Sequence, residues 1–188
     1  MPRLVRRRAL ARRQSFAVRT LDRVRVIDIA IGPAGVEHAG EVLTVQRAAY
    51  LSEAQRYGDP FLPPLTQPLR QIVEDVRAGR RLVALLGSRV VGSVRAEEHE
   101  GVLHIGRLAV APDLQGHGIG GRLLVAAEVA AGPHVAGYEL FTGADSHDNV
   151  RLYERFGYRP VRHERLPQGP GLVYLHKRRG STRAGVPE

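Results

Sequence analysis

From Arg107 to Arg122 the chain reads Arg107-Leu-Ala-Val110-Ala-Pro-Asp-Leu-Gln115-Gly-His-Gly118-Ile-Gly120-Gly121-Arg122. Glycine holds positions 116, 118, 120 and 121. An apolar run ends at Val110, and a helical apolar period resumes with Ile119 and Leu123, so the glycines sit where a strand turns into a helix. The first N–H groups of a helix have no internal partner and carry the positive end of its dipole. Glycines let an anion approach them with no Cβ in the way. The chemistry this segment suits is phosphate binding.

Two nucleotide motifs fit poorly. A P-loop needs Gly-Lys-Ser/Thr, and here Gly121 is followed by Arg122-Leu123. Gly116-His117-Gly118-Ile119-Gly120-Gly121 matches the G-x-G-x-x-G of dinucleotide folds. That fingerprint turns directly off the first strand of a βαβ unit, whereas Ala111–Leu114 intervene here.

Other residues with chemical potential are few. Asn149 and Tyr153 are four apart on a short helical segment and share a face. His104 stands on the strand that leads into the glycines, with Glu97 and Glu98 on the strand before it. Ser146-His147-Asp148 are adjacent in sequence, so their side chains diverge and cannot form a catalytic triad. The histidines show no metal-ligand spacing, and cysteine is absent, so neither a thiolate metal site nor a disulfide framework is expected. A reducing, cytoplasmic setting fits.

The elements that must position these residues follow from periodicity. A strand is expected over Val24–Ile31, ended by Gly32-Pro33. A helix is expected from Val36 to Arg56, with Val36, Ala39, Leu43 and Tyr50 on its apolar stripe and Gln46 as a lapse. The segment Gly58–Pro64 is too proline-rich for helix or central strand. A second helix starts after Pro68 and stops at Gly79. Strands at Leu82–Leu86, Val90–Glu97 and Val102–Val110 follow with only turns between them. On the last of these, His104, Gly106, Leu108 and Val110 are expected to face one side.

A helix is then expected over Gly116–Ala131, with Ile119, Leu123, Ala126 and Ala130 as its stripe. A strand follows at Val135–Thr142, then a short helix capped by Asp148 and ending at Gly157. Strands at Tyr158–Glu164 and Leu172–His176 complete the order β-α-α-β-β-β-α-β-α-β-β. Antiparallel hairpins followed by a βαβ crossover predict an α/β fold with a mixed central sheet of about seven strands flanked by helices.

Three features together resemble the GNAT N-acetyltransferase superfamily. One is Gln115-x-x-Gly118-x-Gly120, five residues after the strand-ending Val110. Another is the lead-in Leu108-Ala109-Val110-Ala111-Pro112, and the third is the later Asn149-Val-Arg-Leu-Tyr153-Glu-Arg-Phe-Gly157-Tyr158. The resemblance spans Val24 to His176 and implies acetyl-CoA as co-substrate. It implies that backbone groups of Leu108, Ala109 and Val110 pair with the pantetheine arm. Gln115, Gly116, His117, Gly118, Ile119 and Gly120 would hold the pyrophosphate, with Gly121 packed closely behind. Asn149 matches a position that hydrogen-bonds the pantetheine, and Tyr153 the tyrosine that protonates the departing thiolate. The family's base is often a carboxylate on the strand before the motif; this chain has His104 there, an imidazole suited to the role at neutral pH, with Glu97 and Glu98 as rivals.

The chain has 188 residues and a formal charge of +9, with 43% hydrophobic and 25% charged residues, the balance of a globular domain. The charge is unevenly spread. Residues 1–25 hold nine arginines and one aspartate, residues 177–188 four basic groups and one acid, and the body between carries −2. A basic arm (1–25), an N-acetyltransferase domain (26–176) and a basic tail (177–188) are the expected divisions.

Arg12-Arg13-Gln14-Ser15-Phe16 resembles a twin-arginine export signal but lacks the apolar segment that should follow. No apolar run spans a membrane. The expected activity is acetyl transfer from acetyl-CoA to a small-molecule or peptide amine in a ternary complex. The acceptor would enter between the first two helices (Tyr50, Tyr57, Phe61, Asp59–Pro64) and the last strand pair (Arg162–Gly171). A homodimer is left open. The alternatives are a non-catalytic acyl-CoA sensor, or nucleic-acid binding through the arm.

Overall fold

The structure, a computed structural model, describes residues 28–165 and 171–180. The arginine-rich arm, the Pro167–Pro170 turn and the last eight residues lie outside the described residues.

Seven strands form one sheet: β1 (Ala30–Pro33), β2 (Arg81–Leu86), β3 (Arg89–His99), β4 (Val102–Val110), β5 (Gly137–Gly143), β6 (Arg159–Glu164) and β7 (Leu172–Arg178). Their order is β1-β2-β3-β4-β5-β7-β6. Among the described residues only β4 and β5 pair in parallel, and every other pair is antiparallel. This is the mixed seven-stranded sheet the sequence predicts. The helices are α1 (Ala39–Tyr57), α2 (Pro63–Thr66), α3 (Leu69–Arg77), α4 (Ile119–Ala130) and α5 (His147–Arg155).

Several boundaries differ from expectation for identifiable reasons. Gly32 and Pro33 do not end β1 but belong to it, paired with Val83 and Leu82; an edge strand tolerates a missing donor. The expected start of that strand, residues 24–27, lies outside the described residues. Pro63 and Pro64 open α2, because the first N–H groups of a helix need no partner. The helix after the glycine loop begins at Ile119, not Gly116, since Gly116 and Gly118 adopt φ of +80° and +75°. Asp148 does not cap α5: Ser146 holds the cap position, and Asp148 pairs with Arg151 instead. β7 runs to Arg178, two residues into the stretch read as tail.

α1 and α3 cover one face of the sheet and α4 the other. Arg81 of β2 and Arg95 of β3 reach Asp75 of α3 (3.3 and 3.0 Å), whereas a Cβ on Gly92 would meet Leu123 and Ile119 of α4. The core beneath α4 uses Ile119, Leu123, Leu124 and Ala127; the expected stripe shifts, leaving Ala130 exposed.

Gln46 is no lapse in the α1 pattern. It is fully buried and donates to the Pro64 carbonyl and to Gln67 Oε1, while Arg81 donates to Gln46 Oε1. Arg81 is itself 1% exposed and paired with Asp75. Removing one partner of such a buried pair strands a charge, at a cost of roughly 3–5 kcal/mol. The cluster fixes α1, α2 and α3 to β2 and so sets the position of α1 over the sheet.

Candidate active site

The site begins where β4 and β5 part. Their pairing runs from Val102↔Gly137 to Ile105↔Leu140 and stops there. β4 continues to Val110, while β5 continues to Gly143 paired only with β7. The β5-facing edge of residues 106–110 therefore has no neighbouring strand, and unpaired backbone N–H and C=O groups line a wedge between the two strands. An extended chain bearing amides could complete that edge.

A bulge sits at the parting. Arg95 pairs with Gly106 and Ser93 with Ala109, so Val94 faces both Arg107 and Leu108. Arg107 takes φ +52°, a left-handed value that favours glycine. The extra residue reverses the alternation. His104 and Gly106 pair with Glu97 and Arg95, on the α1/α3 side. Beyond the bulge, Leu108 and Val110 flank Gly120 on the α4 side. The expected single face for residues 104, 106, 108 and 110 is thus split in two, which periodicity cannot detect.

The strand feeds the glycine loop through a 3-10 turn at Pro112–Leu114. Gln115 donates its amide back to the Val110 carbonyl (3.2 Å), and His117 Nδ1 lies 3.0 Å from the Gln115 carbonyl. These contacts hold the loop against the end of β4. No atom lies within 4 Å of where a Cβ on Gly116 or Gly118 would stand, so space over the loop is open. Gly121 is the reverse case: a Cβ there would come within 2.4 Å of the Phe156 ring. The loop thus joins a free strand edge to the N-terminus of α4, a geometry that fits an extended amide chain ending in a pyrophosphate.

α5 closes the other side. Asn149 donates to Thr142 Oγ1 of β5 (3.2 Å), which fixes α5 beside the wedge. Tyr153 is 8% exposed, its ring packed edge-on against Tyr158 at 6.2 Å. Burial, with Tyr50 and Glu53 nearby, pushes its phenol well above the ordinary tyrosine range. The group is therefore fully protonated at neutral pH, as a proton donor must be. Tyr50 and Glu53 come from α1, across the sheet, so the wedge is where the two helical layers meet. Glu53 Oε2 accepts from Ser146 Oγ (2.5 Å), and Ser146 Oγ and Tyr57 Oη lie 2.9 Å apart.

The candidate proton acceptors divide clearly. Glu97 is engaged by Arg95 (2.6 Å) and Arg80 (2.9 Å), and the hydrogen bond from Arg95 holds its carboxyl below the usual range. Glu98 accepts from the Gly132 N–H (2.5 Å). Both rivals are occupied. His104 is half-exposed, 3.7 Å from Glu139, on the part of β4 paired on both sides. Sequence reasoning missed Glu53; its only signal is the shared helical face with Tyr50.

Of the described residues of the expected acceptor wall, Tyr50 is an electrostatic neighbour of Tyr153. Tyr57 clamps the β5–α5 loop, accepting from the Asp145 N–H, and Phe61 is 77% exposed. On the opposite side Arg162 lies over the Tyr174 ring (3.6 Å), with Phe141 beside it at 5.5 Å. Among the described residues no group of three His, Cys, Asp or Glu could hold a metal ion. No described helix is long and apolar enough to cross a membrane.

The model of the acetyltransferase (GNAT) family matches residues 47–158, from α1 through α5. No curated protein sequence matches the chain significantly. Among solved structures, PaiA N-acetyltransferase from Thermoplasma acidophilum, in complex with coenzyme A, aligns over 80% of this chain and 99% of its own, at TM-score 0.70 and 15% identity. The ribosomal-protein-S18-alanine N-acetyltransferase from Escherichia coli aligns over 86% and 100%, at TM-score 0.62 and 14% identity. YncA from Salmonella typhimurium, solved with its cofactor acetyl-CoA, covers 82% and 95%, at TM-score 0.65 and 14% identity. At these identities the likeness is one of fold. The family match takes in the end of β4, the glycine loop and α5, and the chain belongs to the GNAT acetyltransferase family.

Proposed function

We propose that this protein transfers the acetyl group of acetyl-CoA to an amine by direct attack in a ternary complex. The observation that carries this reading is the parting of β4 from β5 directly before the glycine loop. Acetyl-CoA supplies a thioester whose carbon an amine can attack and whose thiolate can leave. The unpaired edge at Leu108, Ala109 and Val110 binds the pantetheine amides. The loop N–H groups from Gln115 to Gly120 hold the pyrophosphate. Asn149, anchored to Thr142, borders the arm. Tyr153 gives its proton to the departing sulfur as the C–S bond breaks and the C–N bond forms. The proton lost by the ammonium passes to His104, which lies 3.7 Å from Glu139, or to Glu53, which no arginine engages.

Direct transfer needs a neutral amine, so kcat/KM should rise with pH until the base and the amine are both deprotonated. The first test is thermal denaturation of the full chain with acetyl-CoA or NAD. Binding to the native state alone stabilises by about 2.7 kcal/mol at a hundredfold excess over Kd. Acetyl-CoA should raise Tm and NAD should not; the opposite result would remove the reading. An acyl-CoA sensor would show the same Tm rise but release no thiol with any acceptor.

A further inference from the structure

Four guanidinium groups gather on the α1/α3 side of the sheet, around two carboxylates. Asp75 takes contacts from Arg80 (3.3 Å), Arg81 (3.3 Å) and Arg95 (3.0 Å), and Glu97 from Arg80 and Arg95. Arg107 is the fourth. Among the described residues it has no hydrogen bond or ion pair. Its side chain is half-buried, with Tyr50, Arg95 and Asp75 as its electrostatic neighbours, and burial lowers its affinity for a proton. None of its nitrogens is among the fully buried polar atoms that lack a partner, so the half-buried head keeps some contact with solvent.

The backbone adds a second observation. Arg107 occupies the left-handed position of the β4 bulge, where glycine would be unstrained. A non-glycine residue there is strained. The fold thus spends strain, and partial desolvation of an unpaired charge, at the point where β4 leaves β5. The anionic part of the cofactor belongs at the glycine loop, beyond Val110 and on the α4 side of the sheet. An anion at Arg107 would come from the other side, where Tyr50 neighbours both Arg107 and Tyr153.

We propose that Arg107 binds a carboxylate of the acceptor, so that the acceptor is a small amino acid-like molecule carrying its amine and carboxylate close together. The proposal rests on the acetyl-transfer reading. It favours a free amino acid over a protein N-terminus, whose α-carboxyl is tied up as an uncharged amide. A guanidinium holds a carboxylate through two parallel N–H···O bonds.

The test uses the full chain, acetyl-CoA and thiol release, with the twenty common amino acids and their carboxamides as paired acceptors. Rates are compared per neutral amine, because the amides are less basic. For the preferred side chain the acid should exceed the amide by roughly 10- to 100-fold in kcat/KM, mainly through KM, as a charge-assisted contact is worth. Arg107→Gly suits the bulge backbone, so the variant should keep its Tm while the acid-to-amide ratio collapses toward one. Arg107→Lys should retain part of the ratio.

Equal use of acids and amides by the native protein would overturn the proposal. So would a ratio unchanged in Arg107→Gly, or an equal loss on both acceptors, which would mark a role at the thioester. If no amino acid or amide releases thiol, the transfer reading still stands for other amines, and N-acetyl amino acids decide the Arg107 site. With CoA present they should raise the Tm of the native protein and not that of Arg107→Gly; no rise for any of them would overturn the assignment.

Discussion

β4 is two strands in one. Residues 102–105 are hydrogen-bonded on both sides, with Leu103 and Ile105 among the buried core. Residues 106–110 pair with β3 alone, carry the bulge, and bury only Ala109. Each half carries one basic side chain among apolar residues and glycine, His104 in the near half and Arg107 in the far one, and neither contains a proline. What separates them is topology: β5 follows β7 beyond Leu140, and the bulge turns the far half of β4 toward α4. A buried backbone group without a partner costs about as much as a lost hydrogen bond. A strand edge left open inside a sheet is therefore tolerated where a ligand or solvent completes it. The near half should answer to mutation in stability, and the far half in binding and turnover.

The largest expected effect lies across the wedge. Tyr153→Phe keeps the ring against Tyr158 and removes the hydroxyl. Turnover should fall by about 10²–10⁴-fold, in kcat and kcat/KM together, with little change in Tm. A loss of less than a few fold in steady-state rates would make Tyr153 a packing residue. Next in size is the near half. Leu103→Ala should destabilise by about 2–5 kcal/mol in denaturant unfolding, with acetyl-CoA affinity preserved in the folded fraction. Leu108→Ala, in the far half, should cost less stability and more affinity. The reverse ranking would erase the distinction between the halves.

Gly118→Val tests the loop that extends the far half. The φ of +75° strains any β-branched residue, and its side chain would stand in the open space over the loop. Calorimetry should show acetyl-CoA binding lost while the circular dichroism of the fold remains. The smallest effect belongs to Glu97 on β3, opposite His104. Its folded pKa is depressed by Arg95, so its contribution is present above the unfolded value and is lost as pH falls through the depressed one. The group is 38% exposed, so the amount is within about 0.2–1 kcal/mol. Glu97→Gln should flatten the Tm profile between neutral pH and about pH 3, and should leave the alkaline side unchanged.

Much of the fold was legible because strand and helix periods are local. Val102–Val110 was read to the residue, and the order of the principal elements was right because hairpins and crossovers leave distinct patterns. The candidate cofactor residues stand out for the same reason: Gln115, Gly118, Gly120, Asn149 and Tyr153 lie in two short motifs, which the fold sets at the end of β4 and on α5. Three things were not legible. The bulge at Arg107 depends on how β3 and β4 align, which no single strand encodes. Gln46 looked like an error in an apolar stripe because its partners, Gln67 and Arg81, lie 21 and 35 positions away. Glu53 approaches Tyr153 only because α1 crosses the opening from the opposite layer.

The parallel seam has a further consequence for how the chain breathes. Among the described residues, Val102–Ile105 with Gly137–Leu140 is the only strand pairing that joins β1–β4 to the β5–β7 set. It spans four residues, against seven for β5 with β7. Within each side of the seam every pairing is antiparallel. In hydrogen exchange the amides of the seam should open at lower free energy than those of β3 or β7. A bound pantetheine, lying along the open edge just past the last paired residue, would act as a clasp on that seam, and protection should rise first in the amides of residues 102–105.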